Sequence, residues 1–172
     1  MMDENLINTF DTIRSGVYII TSSYRRKPGG CTAVWVCRIS FAPSLIAVHL
    51  APLGHTLQTI ERGKRFCVNV IGESALALAR DFGFKSGHSS EKFKKVPYTL
   101  SPGGSPILDA AVSYIDCKLT DISLIGDHSM VIGRVLGAAI ISPEAPLIYD
   151  PATFYIPPAK RVESLGRDAD QS

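Results

Sequence analysis

The stretch GGCTAVWVCRISFAPSLIAVHL, residues 29–50, is apolar, rich in β-branched and aromatic side chains, and broken once by proline. That composition predicts a long strand over about residues 31–41, a break at Ala42-Pro43-Ser44, and a second strand through LIAVHLA. Alternate residues of a strand face opposite sides of its sheet. An unbroken first strand therefore puts Thr32, Val34, Val36, Arg38 and Ser40 on one face, and Cys31, Ala33, Trp35, Cys37 and Ile39 on the other. The second set is apolar enough to be core. The first has hydroxyls at its ends and a guanidinium between them, groups that satisfy phosphate oxygens by charge-assisted hydrogen bonds. Parity alone leaves two readings open, because Thr, Arg and Ser are also ordinary on a solvated strand face.

Working outward, residues 4–14 place Leu6, Ile7, Phe10 and Ile13 at helical spacing ahead of Ser15-Gly16, the pattern of a short amphipathic helix. GVYIITSSY reads as a strand and RRKPGG as a charged turn. HTLQTIERG is expected to be a helix ended by Gly63, RFCVNVI a buried strand, and ESALALARDFG a helix closed by its glycine. Residues 85–104 are polar and dotted with Gly, Ser and Pro, which predicts a long loop with one helical turn, and loops of that length usually serve function. AVSYIDCKLTDI and SMVIGRVLGAAII follow as two long strands joined through Gly126-Asp127-His128. Several strands, few helices and no βαβ alternation point to a mainly β fold, a barrel with peripheral helices. One domain over residues 1–157 and a mobile tail over 158–172 are expected, since the tail has no apolar period.

With 18 Lys+Arg against 16 Asp+Glu, the formal charge of +2 argues against nucleic acid as the main partner. No apolar run approaches the roughly 20 residues that cross a bilayer, so no membrane role is expected. Cys31, Cys37, Cys67 and Cys117 all sit in apolar runs without a CxxC, which fits small hydrophobes in a reducing compartment. The four histidines lack ligand spacing, so no metal is expected. The opening Met-Met-Asp-Glu-Asn has no basic or apolar leader character, which makes the cytoplasm the default address. There is no GxSxG, no HExxH and no GxGxxG after a strand, so neither a nucleophile elbow, a zinc protease motif nor a Rossmann unit is present.

The pieces GVYIITS, GCTAVWVCRISFAPSLIAV, TIERGKRFCVNVI, LARDFGFKSG, EKF, GSPILDAA, DCKL, GDHSMVIGRV and PLIY, in that order, resemble the flavin reductase-like family of FMN-binding split barrels. The resemblance implies a six-stranded split β-barrel of Greek-key type that binds FMN, with FAD as the other candidate, at a homodimer interface. It also implies reduction of that flavin by NADH or NADPH. In such proteins the TAxW...S strand and the turn after it cradle the cofactor, which here means Thr32, Ala33, Trp35, Cys37, Arg38 and Ser40. Thr56 opens the following helix and matches a phosphate-binding Ser/Thr of the family; a plain helix N-cap is its alternative role. Phe82, Ser86 and Lys92 match a segment that covers the flavin, where lysine adds charge at the phosphate end, against the alternative of a solvated surface lysine. His128 matches a histidine near the stacked nicotinamide and is the catalytic candidate; an exposed turn histidine capped by Asp127 is the plainer reading.

Two departures leave the exact contacts and the choice between FMN and FAD open: Pro43-Ser44 replaces the common proline pair, and Cys31 stands where a methionine or small residue is usual. Arg25-Arg26-Lys27 precedes the cradle strand and is a candidate for the ribose phosphate of NADPH. The expected function is hydride transfer from NAD(P)H to FMN, as a flavin reductase or the reductase component of a two-component monooxygenase. The partner would then be an oxygenase or redox-protein acceptor. The alternatives are a flavoredoxin-like electron carrier that retains FMN, or a non-catalytic barrel holding flavin or another planar ligand such as haem or pyridoxal phosphate.

Overall fold

A computed structural model describes residues 4–85 and 90–154. Residues 15–148 form one unit. Its strands are β1 (Tyr18–Tyr24), β2 (Lys27–Ala33), β3 (Val36–Phe41), β4 (Ser44–Leu50), β5 (Arg65–Ile71), β6 (Tyr98–Leu100), β7 (Pro106–Leu108), β8 (Ala111–Ile125) and β9 (His128–Ile140). Seven of them make a single antiparallel sheet in the order β2-β1-β5-β8-β9-β4-β3, while β6 and β7 pair as a separate hairpin. The main sheet thus has seven strands where six were expected, and the class stands.

The order of the strands dictates the shape. β2 and β3 are the two edges of the sheet, yet only Val34 and Trp35 separate them in sequence. Laid flat, seven strands would hold the edges about 29 Å apart, whereas three peptide steps reach at most about 11 Å. The sheet must therefore roll up until its edges meet, as a barrel split between β2 and β3. This corrects the long strand expected over residues 31–41. The chain leaves the sheet at Val34, parity does not carry across the gap, and the supposed core face dissolves. Only Ala33 of that set is buried; Trp35 is 54% exposed, Ile39 45%, and Cys37 is exposed as well.

The turn after β1 is shorter than the sequence suggested. Arg25 and Arg26 alone form it, both in the left-handed region with φ of 50° and 63°, the twist that two-residue hairpins require. Lys27 to Gly30 already belong to β2. Pro28 is accepted there because an edge strand has one side free of ladder bonds.

Ile20, Val48, Ile60, Phe66, Val68 and Val131 fill the barrel with no residual exposure. The helix α2 (His55–Gly63) carries the chain from β4 to β5, on the far side of β1, and buries Thr56, Leu57, Thr59 and Ile60. Gly63 is its last helical residue, and Lys64, at φ 58°, is the left-handed cap that sends its N–H to the Ile60 carbonyl at 2.7 Å. A Cβ on Gly63 would lie 2.5 Å from the Ser23 carbonyl oxygen, so glycine serves packing against the β1 hairpin there rather than the cap. After a short 3-10 turn, α3 (Leu76–Phe84) buries Ala79 and Phe82. It ends at Phe84, with Gly83 inside it against Thr32. The described part of the expected long loop holds a 3-10 segment, Ser90–Lys95, and then β6.

The smaller unit comprises, among the described residues, 4–14 and 149–154. It contains α1 (Glu4–Phe10) and a turn in which the Asp150 carboxylate accepts the Ala152 N–H at 3.0 Å, with Tyr149 and Phe154 rings 5.6 Å apart. No described helix is long and apolar enough to cross a membrane.

Candidate functional site

The cradle residues fall on both sides of the split. On the β2 side, Lys92 reaches inward from the 3-10 segment and donates from Nζ to the carbonyls of Phe82 at 3.0 Å and Gly30 at 3.3 Å. Among the described residues no carboxylate forms an ion pair with it, and burial lowers its pKa below the ordinary lysine value. The result is a half-buried cation held by neutral dipoles.

Phe82 is 1% exposed, with Lys92 Nζ 5.4 Å from its ring centre and Phe93 edge-on at 5.2 Å. A Cβ on Gly30 would come within 2.8 Å of that ring, so glycine lets α3 close onto β2. The ring expected to touch a cofactor is thus a buttress under β2; its contribution to the site is the carbonyl that holds Lys92.

Thr32 donates its hydroxyl proton to the Ala79 carbonyl of α3. The proton that parity offered to phosphate is already committed. What Thr32 still presents is backbone: Gly30 turns its carbonyl away from β1 to Lys92, and in an antiparallel ladder the residue two further on turns the same way. Ala33 is buried. Thr56 is 3% exposed and hydrogen-bonds the Cys31 thiol, whose pKa burial raises while Thr56 and the Lys92 charge pull it down. Gly54 is the N-cap of α2, without a side-chain cap, so the plain capping role weighed for Thr56 does not apply.

On the other side, the chain emerges from the split at Trp35. Its carbonyl accepts the backbone N–H of His49 at 3.0 Å and lies 3.3 Å from His49 Nδ1. The indole meets the His49 ring edge-on with centroids 6.4 Å apart, and the His128 ring, tilted by 56°, at 4.7 Å. His128 opens β9, and its Nδ1 is 2.7 Å from Asp127 Oδ1, a contact that holds the Asp127 carboxyl below its ordinary pKa. His49 pairs directly with Met130 across β4 and β9, so His128, two residues from Met130, shares its face. Val48 and Leu50 point into the core, which makes that face the outside of the barrel.

Further along β3, Cys37 is exposed. The Arg38 guanidinium sits 4.1 Å over the ring of Phe41, itself 77% exposed, and a bulge separates Arg38 from Ser40. The turn beyond carries a cis Ala42-Pro43 bond.

Ser86 lies outside the described residues. Arg25, Arg26 and Lys27 sit at the far end of β2 from Ala33, about 20 Å along a seven-residue strand, and do not join the cluster. Two participants escaped the sequence reading, His49 and Gly30. Alternation in LIAVHL marks His49 as outward-facing, but nothing local reveals that Trp35 folds back against it.

Rolled barrel, split edges, a half-buried cation on one side and an indole beside an Asp-held imidazole on the other define a split barrel with a polar and aromatic site along its opening. The chain belongs to the flavin reductase like domain family, which it matches over residues 10–156. It is 36% identical over 140 residues to a high molecular weight rubredoxin of Moorella thermoacetica, covering 80% of this chain and 61% of that protein. It is 33% identical over 155 residues to the flavin-dependent monooxygenase reductase subunit HsaB of Rhodococcus jostii, covering 90% and 78% respectively. Among solved structures, flavin reductase HpaC complexed with NADP+ superposes with a TM-score of 0.74 at 27% identity, over 86% of this chain and 93% of that one. Fold and flavin reductase class both agree with the resemblance read from the sequence.

Proposed function

We propose that this domain transfers a hydride from NAD(P)H to FMN lying along the split, as the reductase partner of an oxygenase. The observation that carries the proposal is the half-exposed Trp35 indole, 4.7 Å from an imidazole anchored by Asp127, at the mouth of the split. The residues present fit a flavin. An apolar ring system finds Trp35, the pyrimidine edge finds the open backbone of Thr32, and an anionic tail finds Lys92 with Thr56 near it. Cys37, Arg38 and Ser40 line the β3 side.

Bound flavin supplies the hydride-accepting ring, and hydride transfer asks the protein for stacking at short range more than for an acid or base. Trp35 and His128 offer the surface against which a nicotinamide stacks. Asp127 accepts from Nδ1, which fixes the imidazole tautomer and orientation. Lys92 stabilises phosphate charge in a partly dry setting, where it is worth more than in bulk water.

Homodimerisation belongs to the same reading. It is supported by large apolar side chains left in solvent, Phe41 at 77% and Ile140 at 83% exposure, and by an open edge of β9 beyond Arg134, where pairing with β4 stops. Sedimentation as a monomer with flavin bound would contradict it. Four cysteines without a disulfide fit a cytoplasmic address.

The test is an anaerobic titration of protein plus FMN with NADH and then NADPH, following the oxidised-flavin absorbance. Bleaching at catalytic protein concentration establishes the reductase and names its donor. The rubredoxin relative favours a second reading, an electron carrier that retains FMN. FMN that stays bound through gel filtration, with no bleaching by either donor, selects that carrier.

A further inference from the structure

The single tryptophan of the chain lies between two imidazoles from different strands, His49 on β4 and His128 on β9. His128 has an evident anchor in Asp127. His49 has no carboxylate partner among the described residues; it spends Nδ1 on the Trp35 carbonyl, which its own backbone N–H also addresses. A carbonyl only accepts, so Nδ1 must carry the proton whatever the charge of the ring. Trp35 needs such a hold. It stands in a two-residue link outside any strand, and its indole has lost more than half of the cover a core would give.

We propose that His49 is a positioning residue for the nicotinamide site. By clasping the Trp35 carbonyl and meeting the indole edge-on, it fixes the ring against His128, so that Trp35 and the two imidazoles form one ordered surface. The inference rests on the reading of Trp35 and His128 as the dinucleotide-stacking surface.

Two substitutions separate the two parts of the hold. His49→Asn places an amide donor where Nδ1 was, without the ring; His49→Phe keeps a ring edge and removes the donor. Losing one neutral hydrogen bond in the positioning of the indole is expected to raise KM for the dinucleotide about fivefold in His49→Phe, with kcat within about twofold of the parent. His49→Asn should restore most of the loss. A merely structural role would leave KM unmoved and lower only thermal stability.

The readout that needs no flavin is the emission of Trp35. Steady-state anisotropy should fall, and acrylamide quenching rise, in His49→Phe, with both recovered in His49→Asn. Unchanged anisotropy and unchanged acrylamide quenching in His49→Phe would overturn the inference even if the protein reduces flavin. Altered emission in a protein with no flavin reduction by either donor would instead retain the clasp and remove the nicotinamide role.

Discussion

Replacing Lys92 with glutamine removes a charge while keeping an amide donor for the carbonyls of Phe82 and Gly30, so it isolates the electrostatic part of the site. At about 4 Å and an effective dielectric near 20, a unit pair is worth at most about 4 kcal/mol. Partial exposure, and competition from the two carbonyls, bring this to about 1.5–3 kcal/mol, the range for hydrogen bonds to charged groups. FMN affinity should therefore fall about 10- to 150-fold. Quenching of flavin fluorescence on titration measures it, together with its salt dependence, which should be shallower in the variant. Lys92→Arg, which keeps the charge, should stay close to the parent. The pH sign follows from burial, which lowers the lysine pKa from its ordinary 10.5. The ammonium is lost at a lower pH than for a free lysine, so affinity should decline on the alkaline side. Without ligand the sign for stability is opposite, since the unfolded chain binds the proton more tightly in that window and stability rises with pH through it. Parent-like affinity and salt slope in Lys92→Gln would refute the assignment of Lys92 to an anionic tail.

Three other outcomes are expected. Gly133→Ala puts a Cβ within 2.6 Å of Phe66 Cε1 and 2.9 Å of Cys117 Cβ, so it should destabilise by about 1–3 kcal/mol through overpacking, measured by urea unfolding. The Glu144 carboxylate accepts the Ser74 N–H at 2.6 Å and hydroxyl at 2.8 Å, bonds that hold its pKa below the ordinary value. Its contribution is thus present above the unfolded carboxyl pKa and lost as pH falls through the folded one, so Glu144→Gln should lower Tm at pH 7 and lose that difference in acid; an equal difference at both pH values would argue against it. A maleimide should label Cys37 fast and Cys67 and Cys117 only on unfolding, since burial removes the latter from reagent and pushes the Cys117 pKa up to about 12. Bound FMN should slow labelling of Cys37.

Much of this was legible in the sequence. Apolar β-branched runs gave β1, β4, β5, β8 and β9, because burial of alternating side chains is a local pattern. An ordered series of short motifs gave the family, and with it the flavin. What strand parity offered for residues 31–41 failed at a particular place, Val34-Trp35, because the need to bring two sheet edges together is not written in either strand. Phe82 looked like a contact residue and proved to be a buttress, since a phenylalanine is apolar in either role and only the approach of α3 to Gly30 decides between them.

By itself, then, the order of residues determined which segments extend, which coil, and what chemistry the chain carries. Tertiary structure decided what meets: that Lys92 would rest on carbonyls of β2 and α3, that Thr32 would spend its proton on Ala79, and that Trp35 would come to lie between His49 and His128. Those contacts span separations of 10 to 93 residues. They exist because a seven-stranded sheet whose edges are adjacent in sequence has to close on itself, and no local preference encodes that closure.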